Sequence, residues 1–229
     1  MPRLNPCELE IDLFCKGVRI DPALPAAQLP ALHRTRAGLG SGLELILPGP
    51  FKDIWVNVPV EEPFAGNSPY LLMKSDGQLE LLHEPSRVRY PVRLPPEPAW
   101  YGRQTSRGTL MSRIGVLQGT YLGIYLSNTC HFWYTQPHPL NCSFCTTGKN
   151  IGISEERTKD IRDVLEVCQA AKEESGVTFV HFNTGYHNER KELDLIGPYV
   201  KAIKEKLGLL VGVQATPSQD LWKIGRAHV

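Results

Sequence analysis

Tyr121-Leu122-Gly123-Ile124-Tyr125-Leu126 is the stretch on which the fold turns. A short, nearly continuous apolar run of this kind is the pattern of a strand buried on both faces. Val177-Thr178-Phe179-Val180-His181-Phe182 and Leu209-Leu210-Val211-Gly212-Val213 are expected as the second and third strands downstream. Between the first two runs, Ile161, Val164, Leu165, Cys168 and Ala171 recur at helical spacing. Ser154 is expected to cap that helix, with Glu155 and Glu156 near the positive end of its dipole, and Gly176 to close it. A second helix is expected over residues 193–207, with Pro198 in its first turn or at a kink. Strands and helices that alternate at this length build a parallel sheet through right-handed crossovers, and the loops at the strands' C-terminal ends gather on one rim.

The stretch before residue 119 is different. It is rich in Pro and Gly, and its short apolar runs at 43–47, 54–60, 70–73 and 78–83 are strand candidates, with Ser75-Asp76-Gly77 a hairpin turn between the last two. Arg93-Leu94-Pro95-Pro96-Glu97-Pro98 continues neither a central strand nor a helix, because each proline lacks a donor and restricts its predecessor. The expected fold class is therefore α/β: half of a (βα) barrel, about three βα units, preceded by a β-rich N-terminal module. The boundaries are expected at 1–118 for the module and 119–223 for the barrel half. Residues 224–229, Ile-Gly-Arg-Ala-His-Val, are what a common sequencing-adapter oligonucleotide encodes when read through in one frame. The native chain is expected to leave this sequence near Trp222 or Lys223 and to continue with further barrel strands.

At 229 residues the chain is long enough to bury a core as one large or two small domains. A formal net charge of +1 gives no dominant basic field for nucleic acid or an acidic membrane surface. Glu8, Glu10 and Asp12 stand where a signal peptide needs an apolar stretch, and no long apolar run follows, so a cytoplasmic protein without a membrane partner is expected. Six cysteines allow disulfides on paper, but Cys130, Cys142 and Cys145 crowd into one loop, which fits reduced thiols or metal ligands better. Cys7 and Cys15, beside Leu9, Ile11, Leu13 and Phe14, are expected to pack in a strand, and Cys168 to lie in a helix core.

Cys130, Cys142 and Cys145 follow the first βα strand directly. Three thiolates without a fourth leave one iron of a four-iron cluster open to an outside ligand. Zinc is the competing ligand: the same cysteines with His131 or His138 make a Cys3His set, and the chain is then a zinc-stapled binding module without catalysis. Thr146-Thr147-Gly148-Lys149 looks like the end of a P-loop, but Ser143 stands in place of the leading glycine and Asn150 in place of the final hydroxyl, so an ordinary loop is expected. His181 and Phe182 point to opposite faces of their strand, and a satisfied core histidine is the commoner case. Tyr186, His187 and Glu189 follow that strand on the rim as candidate contacts. Trp100-Tyr101-Gly102-Arg103 and Arg113 precede the first strand as candidates for the barrel floor or substrate contact.

With its cysteine loop after the first strand and Phe144 immediately before the last cysteine, the sequence resembles the radical S-adenosylmethionine (radical SAM) enzymes over roughly half the chain. The spacing departs from the family, with 11 residues between the first two cysteines where three are usual. The resemblance implies a 4Fe-4S cluster held by Cys130, Cys142 and Cys145, with S-adenosyl-L-methionine as cosubstrate and Phe144 near its adenine. Asn183-Thr184-Gly185-Tyr186 occupies the place of the family's Gly-Gly-Glu-like segment, with one glycine and no acid. Asn183, Thr184, Gly185 and Gln214 join Phe144 as the implied cofactor-binding residues. The implied reaction is reductive cleavage of the cofactor to a radical that takes a hydrogen atom from a small-molecule or peptide substrate. The implied electron donor is external, of flavodoxin or ferredoxin type, and this chain by itself is expected to turn over weakly or not at all.

Overall fold

The computed structural model describes residues 3–24, 35–36, 40–187 and 192–215. It is mixed α/β, with several separate sheets that do not close on themselves. The chain divides into two compact units, one of Met1–Arg34, Leu39–Glu97 and Ser143–Thr146, the other of Thr35–Gly38, Pro98–Cys142 and Thr147–Val229.

The first unit opens on a helix, α1 (Pro6–Lys16), where the sequence suggested only strands. Asn5 Oδ1 accepts from the Cys7 and Glu8 amides at 3.0 Å, and the Glu8 carboxylate accepts from the Asn5 amide at 2.9 Å. This reciprocal cap, with Pro6 at the first helical position, nucleates the helix. Leu9 and Leu13 bury its inner face, so Cys7 and Cys15 stand outward and exposed, which corrects their expected packing in a strand. After β1 (Arg19–Ile20), β2 (Thr35–Arg36), which falls in the second unit, and β3 (Gly40–Ser41) come β4 (Leu43–Leu47), β5 (Ile54–Val58), β6 (Tyr70–Ser75), β7 (Gln78–His83) and β8 (Val88–Pro91). One sheet has the order β1-β6-β7-β8, and β4 pairs antiparallel with β5. Asp76 and Gly77, at φ 50° and 81°, make the two-residue turn between β6 and β7, the geometry that matches the strands' own twist. The core collects Leu13, Leu43, Leu45, Leu72 and Leu81 around Tyr70, whose hydroxyl donates to Asp12 at 2.5 Å. Burial and that bond push the Tyr70 pKa up.

The second unit holds β9 (Val116–Gln118), β10 (Tyr121–Tyr125), α2 (Thr147–Asn150), α3 (Ile161–Ser175), β11 (Phe179–Asn183), α4 (Glu192–Leu207) and β12 (Leu210–Gln214). The sheet order is β12-β11-β10-β9; β10, β11 and β12 run parallel, and β9 turns back antiparallel on the outer edge of β10. Leu122, Ile124, Val180 and Phe182 enter a core with Val164, Val167, Cys168 and Ala171 of α3 and Ile196 and Ile203 of α4. Phe182 thus takes the helix-covered face and His181 the other. Trp100 and Tyr101 belong to that core, the indole donating to Ser175 Oγ at 3.0 Å and the phenol accepting from the Leu117 amide at 2.8 Å. Burial pushes the Cys168 thiol up to about 12, so it stays protonated as a packing group.

One expectation for the helices is corrected, and for Pro198 one of the two expected places is excluded. Helix α3 starts at Ile161 with Asp160 as its cap, not at Ser154. Lys159 explains the late start: its side chain is fully buried, and its ammonium donates to the Tyr125 carbonyl at 2.6 Å, the Glu156 carbonyl at 3.0 Å and the Glu155 carboxylate at 3.0 Å. Tying residues 155–159 to the end of β10 takes them out of helical conformation. Pro198 lies inside α4, past its first turn. Among the described residues no helix is long and apolar enough to cross a membrane.

Candidate ligand rim at the cysteine loop

Parallel register brings the C-terminal ends of β10, β11 and β12 level, with Tyr125 opposite Asn183 and Asn183 opposite Gln214. The chain beyond each end is then tied to its neighbour. The Leu126 amide donates to the Asn183 carbonyl at 3.0 Å, the Gly185 amide to Ser127 Oγ at 2.9 Å, the His131 amide to the Tyr186 carbonyl at 2.9 Å and the Thr184 amide to the Gln214 carbonyl at 3.3 Å. Asn183, Thr184, Gly185 and Gln214 are therefore one continuous rim with the start of the cysteine loop.

Cys130 sits at the centre of that junction. A Cβ built on Gly185 would stand 2.6 Å from Cys130 Cβ, 2.8 Å from its Cα and 2.4 Å from the Tyr125 hydroxyl. Only glycine lets the two loops approach this closely. Cys130 also precedes a short 3-10 turn, His131–Tyr134, that projects four aromatic rings. Phe132 stacks on Tyr186 at 5.1 Å, and Trp133 lies where a side chain on Gly148 would collide with it. His187 Nε2 lies 3.2 Å from the Asn128 carbonyl, which also accepts from the Tyr125 hydroxyl at 3.2 Å. The loop's first half is thus anchored through its backbone and its rings.

The other implied ligands stand differently. Cys142 is exposed, Cys145 is partly exposed, and Phe144 keeps 53% of its surface in solvent. Cys130 and Cys142 fall in the second unit, whereas Ser143–Thr146, which carries Phe144 and Cys145, falls in the first. None of the six cysteines is in a disulfide. Among the described residues no group of three or more His, Cys, Asp or Glu side chains is assembled to hold a metal ion, and His131 and His138 add no such group. The donor set still fits a thiolate-bound group: three reduced, accessible cysteines lie on one loop. A metal site of this kind is commonly drawn together by the ion, because the binding free energy is what organises its ligands.

Sequence reasoning missed Ser127 and Lys159. Ser127 follows the apolar run directly and is 1% exposed, and its oxygen holds the Gly185 amide. A hydroxyl placed immediately past a buried strand, on the rim side, was the available signal. Lys159 gave none, since a lone lysine near two glutamates reads as surface charge. Glu189, Trp222, Lys223 and the tail 224–229 lie outside the described residues. No protein-family model, curated protein or solved structure matches this chain.

Proposed function

We propose that this chain is a radical SAM-type enzyme in which Cys130, Cys142 and Cys145 hold a 4Fe-4S cluster, and that β10, β11 and β12 with their helices are the first βα units of a barrel. The observation that carries the reading is the junction of Cys130 with Gly185: a cysteine loop leaving one parallel strand, seated against a glycine in the loop leaving the next. A cluster held by three thiolates has an open iron and supplies one electron for the reductive cleavage of S-adenosyl-L-methionine.

The chain's own residues do the rest. Gly185, lacking a side chain, lets the loop after β11 close directly on Cys130. Ser127 holds the Gly185 amide and so orients the loop that carries Asn183 and Thr184. Thr184 Oγ1 is buried without a hydrogen-bond partner among the described residues, so a donor or acceptor brought to this rim would satisfy it. Phe144 offers an exposed aromatic face for a planar ring, and the Gln214 side chain a donor and an acceptor. The substrate is a small molecule or peptide, and the electron comes from an external flavodoxin- or ferredoxin-type donor.

The test is anaerobic reconstitution with iron and sulfide. Binding of four irons per chain, a brown absorption and a paramagnetic signal after dithionite are expected, with all three lost in Cys142→Ala or Cys145→Ala while far-ultraviolet circular dichroism is kept. A colourless protein with stoichiometric zinc, unfolding when the same cysteines are replaced, would establish the Cys3His module in its place.

A further inference from the structure

Helix α1 is apolar on two opposite sides. Leu9 and Leu13 are buried in the first unit's core, on the side that meets β5. On the outer side Cys7, Ile11, Phe14 and Cys15 are all exposed, Ile11 keeping 66% of its surface in solvent and Phe14 50%. With about 3.6 residues per turn, Cys7, Ile11 and Cys15 form one row of i, i+4 neighbours with Phe14 beside it, and Ile11 stands opposite the midpoint of Leu9 and Leu13. A surface helix ordinarily turns one apolar stripe to the core and polar residues to water, so a second apolar stripe marks a face that another body covers.

The spacing and charge of that row point to a second copy of the chain. Cys7 and Cys15 lie four residues to either side of Ile11, so the row reads the same from both ends. A two-fold axis at Ile11 sets Cys7 of one copy opposite Cys15 of the other and the two isoleucines against each other, the self-complementary match a symmetric homodimer requires. Rows of i, i+4 residues are also the ridges that interdigitate in the commonest class of helix packing. Charge agrees with the antiparallel direction. Glu8 is exposed at the N-terminal end of the row and Lys16 at its C-terminal end, where it pairs with Asp12 at 2.7 Å. An antiparallel copy brings the lysine end of each helix to the glutamate end of the other and opposes the two helix dipoles, whereas a parallel copy sets like charges together. The row itself carries no charged side chain, so none is desolvated at its centre.

We propose that the outer face of α1 is a homodimer interface in which two copies of the helix cross antiparallel about a two-fold axis at Ile11, with Cys7 of each copy beside Cys15 of the other. A helix of 11 residues is about 16 Å long, less than a standard interface spans, so the pair is weak while its thiols are reduced. The two cysteines of one helix do not bond each other, because their separation along the axis is about 12 Å, beyond the reach of a disulfide. Oxidation at this face therefore links copies, each new bond releasing two hydrogens to the oxidant. The interface does not involve the cysteine loop and stands whether or not a cluster is bound there.

Sedimentation equilibrium of the reduced full chain from micromolar to millimolar concentration tests it, together with brief crosslinking by diamide, the oxidant that takes up the two hydrogens. A dimer that grows with concentration is expected, and diamide should trap it as a disulfide-linked pair. Cleavage after glutamate separates Cys7 from Cys15, since Glu8 and Glu10 lie between them, so mass spectrometry of the products identifies which sulfurs are joined. Linkage of Cys7 to Cys15 is expected. Cys7→Ser and Cys15→Ser, each alone, should form no crosslink through the helix, and the two variants mixed should form one, which only the antiparallel pair permits. Ile11→Glu changes an exposed position, so far-ultraviolet circular dichroism should be kept while dimerisation weakens at least about tenfold, because two carboxylates then face each other. A chain that stays monomeric at every concentration, links that join Cys7 to Cys7 or Cys15 to Cys15, crosslinks confined to the other cysteines, or undiminished dimerisation of Ile11→Glu overturns the interface.

Discussion

Gly185 and Lys159 show how much of the rim rests on single residues. At Gly185 the conflict is steric, since the nearest atoms to an added Cβ include Cys130 backbone, which cannot rotate away. Gly185→Ala is expected to cost about 1–3 kcal/mol, as overpacking does, and to lower iron retention after reconstitution; an unchanged urea midpoint would contradict the close approach. Lys159→Met leaves the Glu155 carboxylate buried opposite an apolar group, for which about 3–5 kcal/mol of destabilisation is expected. Lys159→Met combined with Glu155→Gln should recover part of that loss, and a denaturant series on the three variants measures it. His181 gives a prediction in pH. Burial lowers its pKa from 6.5, so as pH falls the unfolded chain takes up the proton before the folded one does. Stability is thus unaffected by this group at neutral pH and declines as pH drops through the window below 6.5. His181→Phe should flatten that decline; a decline of equal depth in the variant would show that other groups cause it.

At the scale of elements, the two best-capped helices have different origins. Helix α1 is specified locally, because Asn5, Pro6 and Glu8 complete its cap within four residues. Helix α3 takes its start from its surroundings: the buried Lys159 holds the preceding turn against β10, and Asp160 then accepts from the Arg162 amide at 2.8 Å. Asp160→Ala is expected to cost about 1 kcal/mol through loss of this cap, read as a lowered midpoint of thermal or denaturant unfolding. The segment before β9 is fastened along the same helix. Arg103 pairs with Glu174, the Ser106 amide donates to Glu166 at 2.7 Å, and Arg107 lies 3.6 Å from the buried Asp163. The Trp100 to Arg103 stretch and Arg113, candidates for floor or substrate contact, are thereby committed to the body of the unit, Arg113 pairing with Glu156 at 2.5 Å.

At the scale of the whole molecule, the described residues form two cores, one around Leu72 and Tyr70 and one around Phe182 and Val167. Leu72→Ala is expected to cost about 2–5 kcal/mol and Phe182→Ala about 3–5 kcal/mol, each measured by chemical denaturation. The apolar runs at 121–126, 177–182 and 209–213 were sufficient to announce the three parallel strands, although only β10 is buried nearly throughout, β11 alternating and β12 leaving Leu210 and Val213 exposed. The Asp76-Gly77 turn was equally legible, since few residues tolerate its backbone. The helix α1 was not, because its cap is polar and its apolar face is short. Strand β9 was not, because three residues carry no period. What the sequence alone determined is the supply of chemistry: three cysteines on one loop past a buried strand, and a glycine past the next. Which groups meet was decided only by the tertiary structure, since parallel register sets Cys130 against Gly185 across a separation in sequence that no local pattern records.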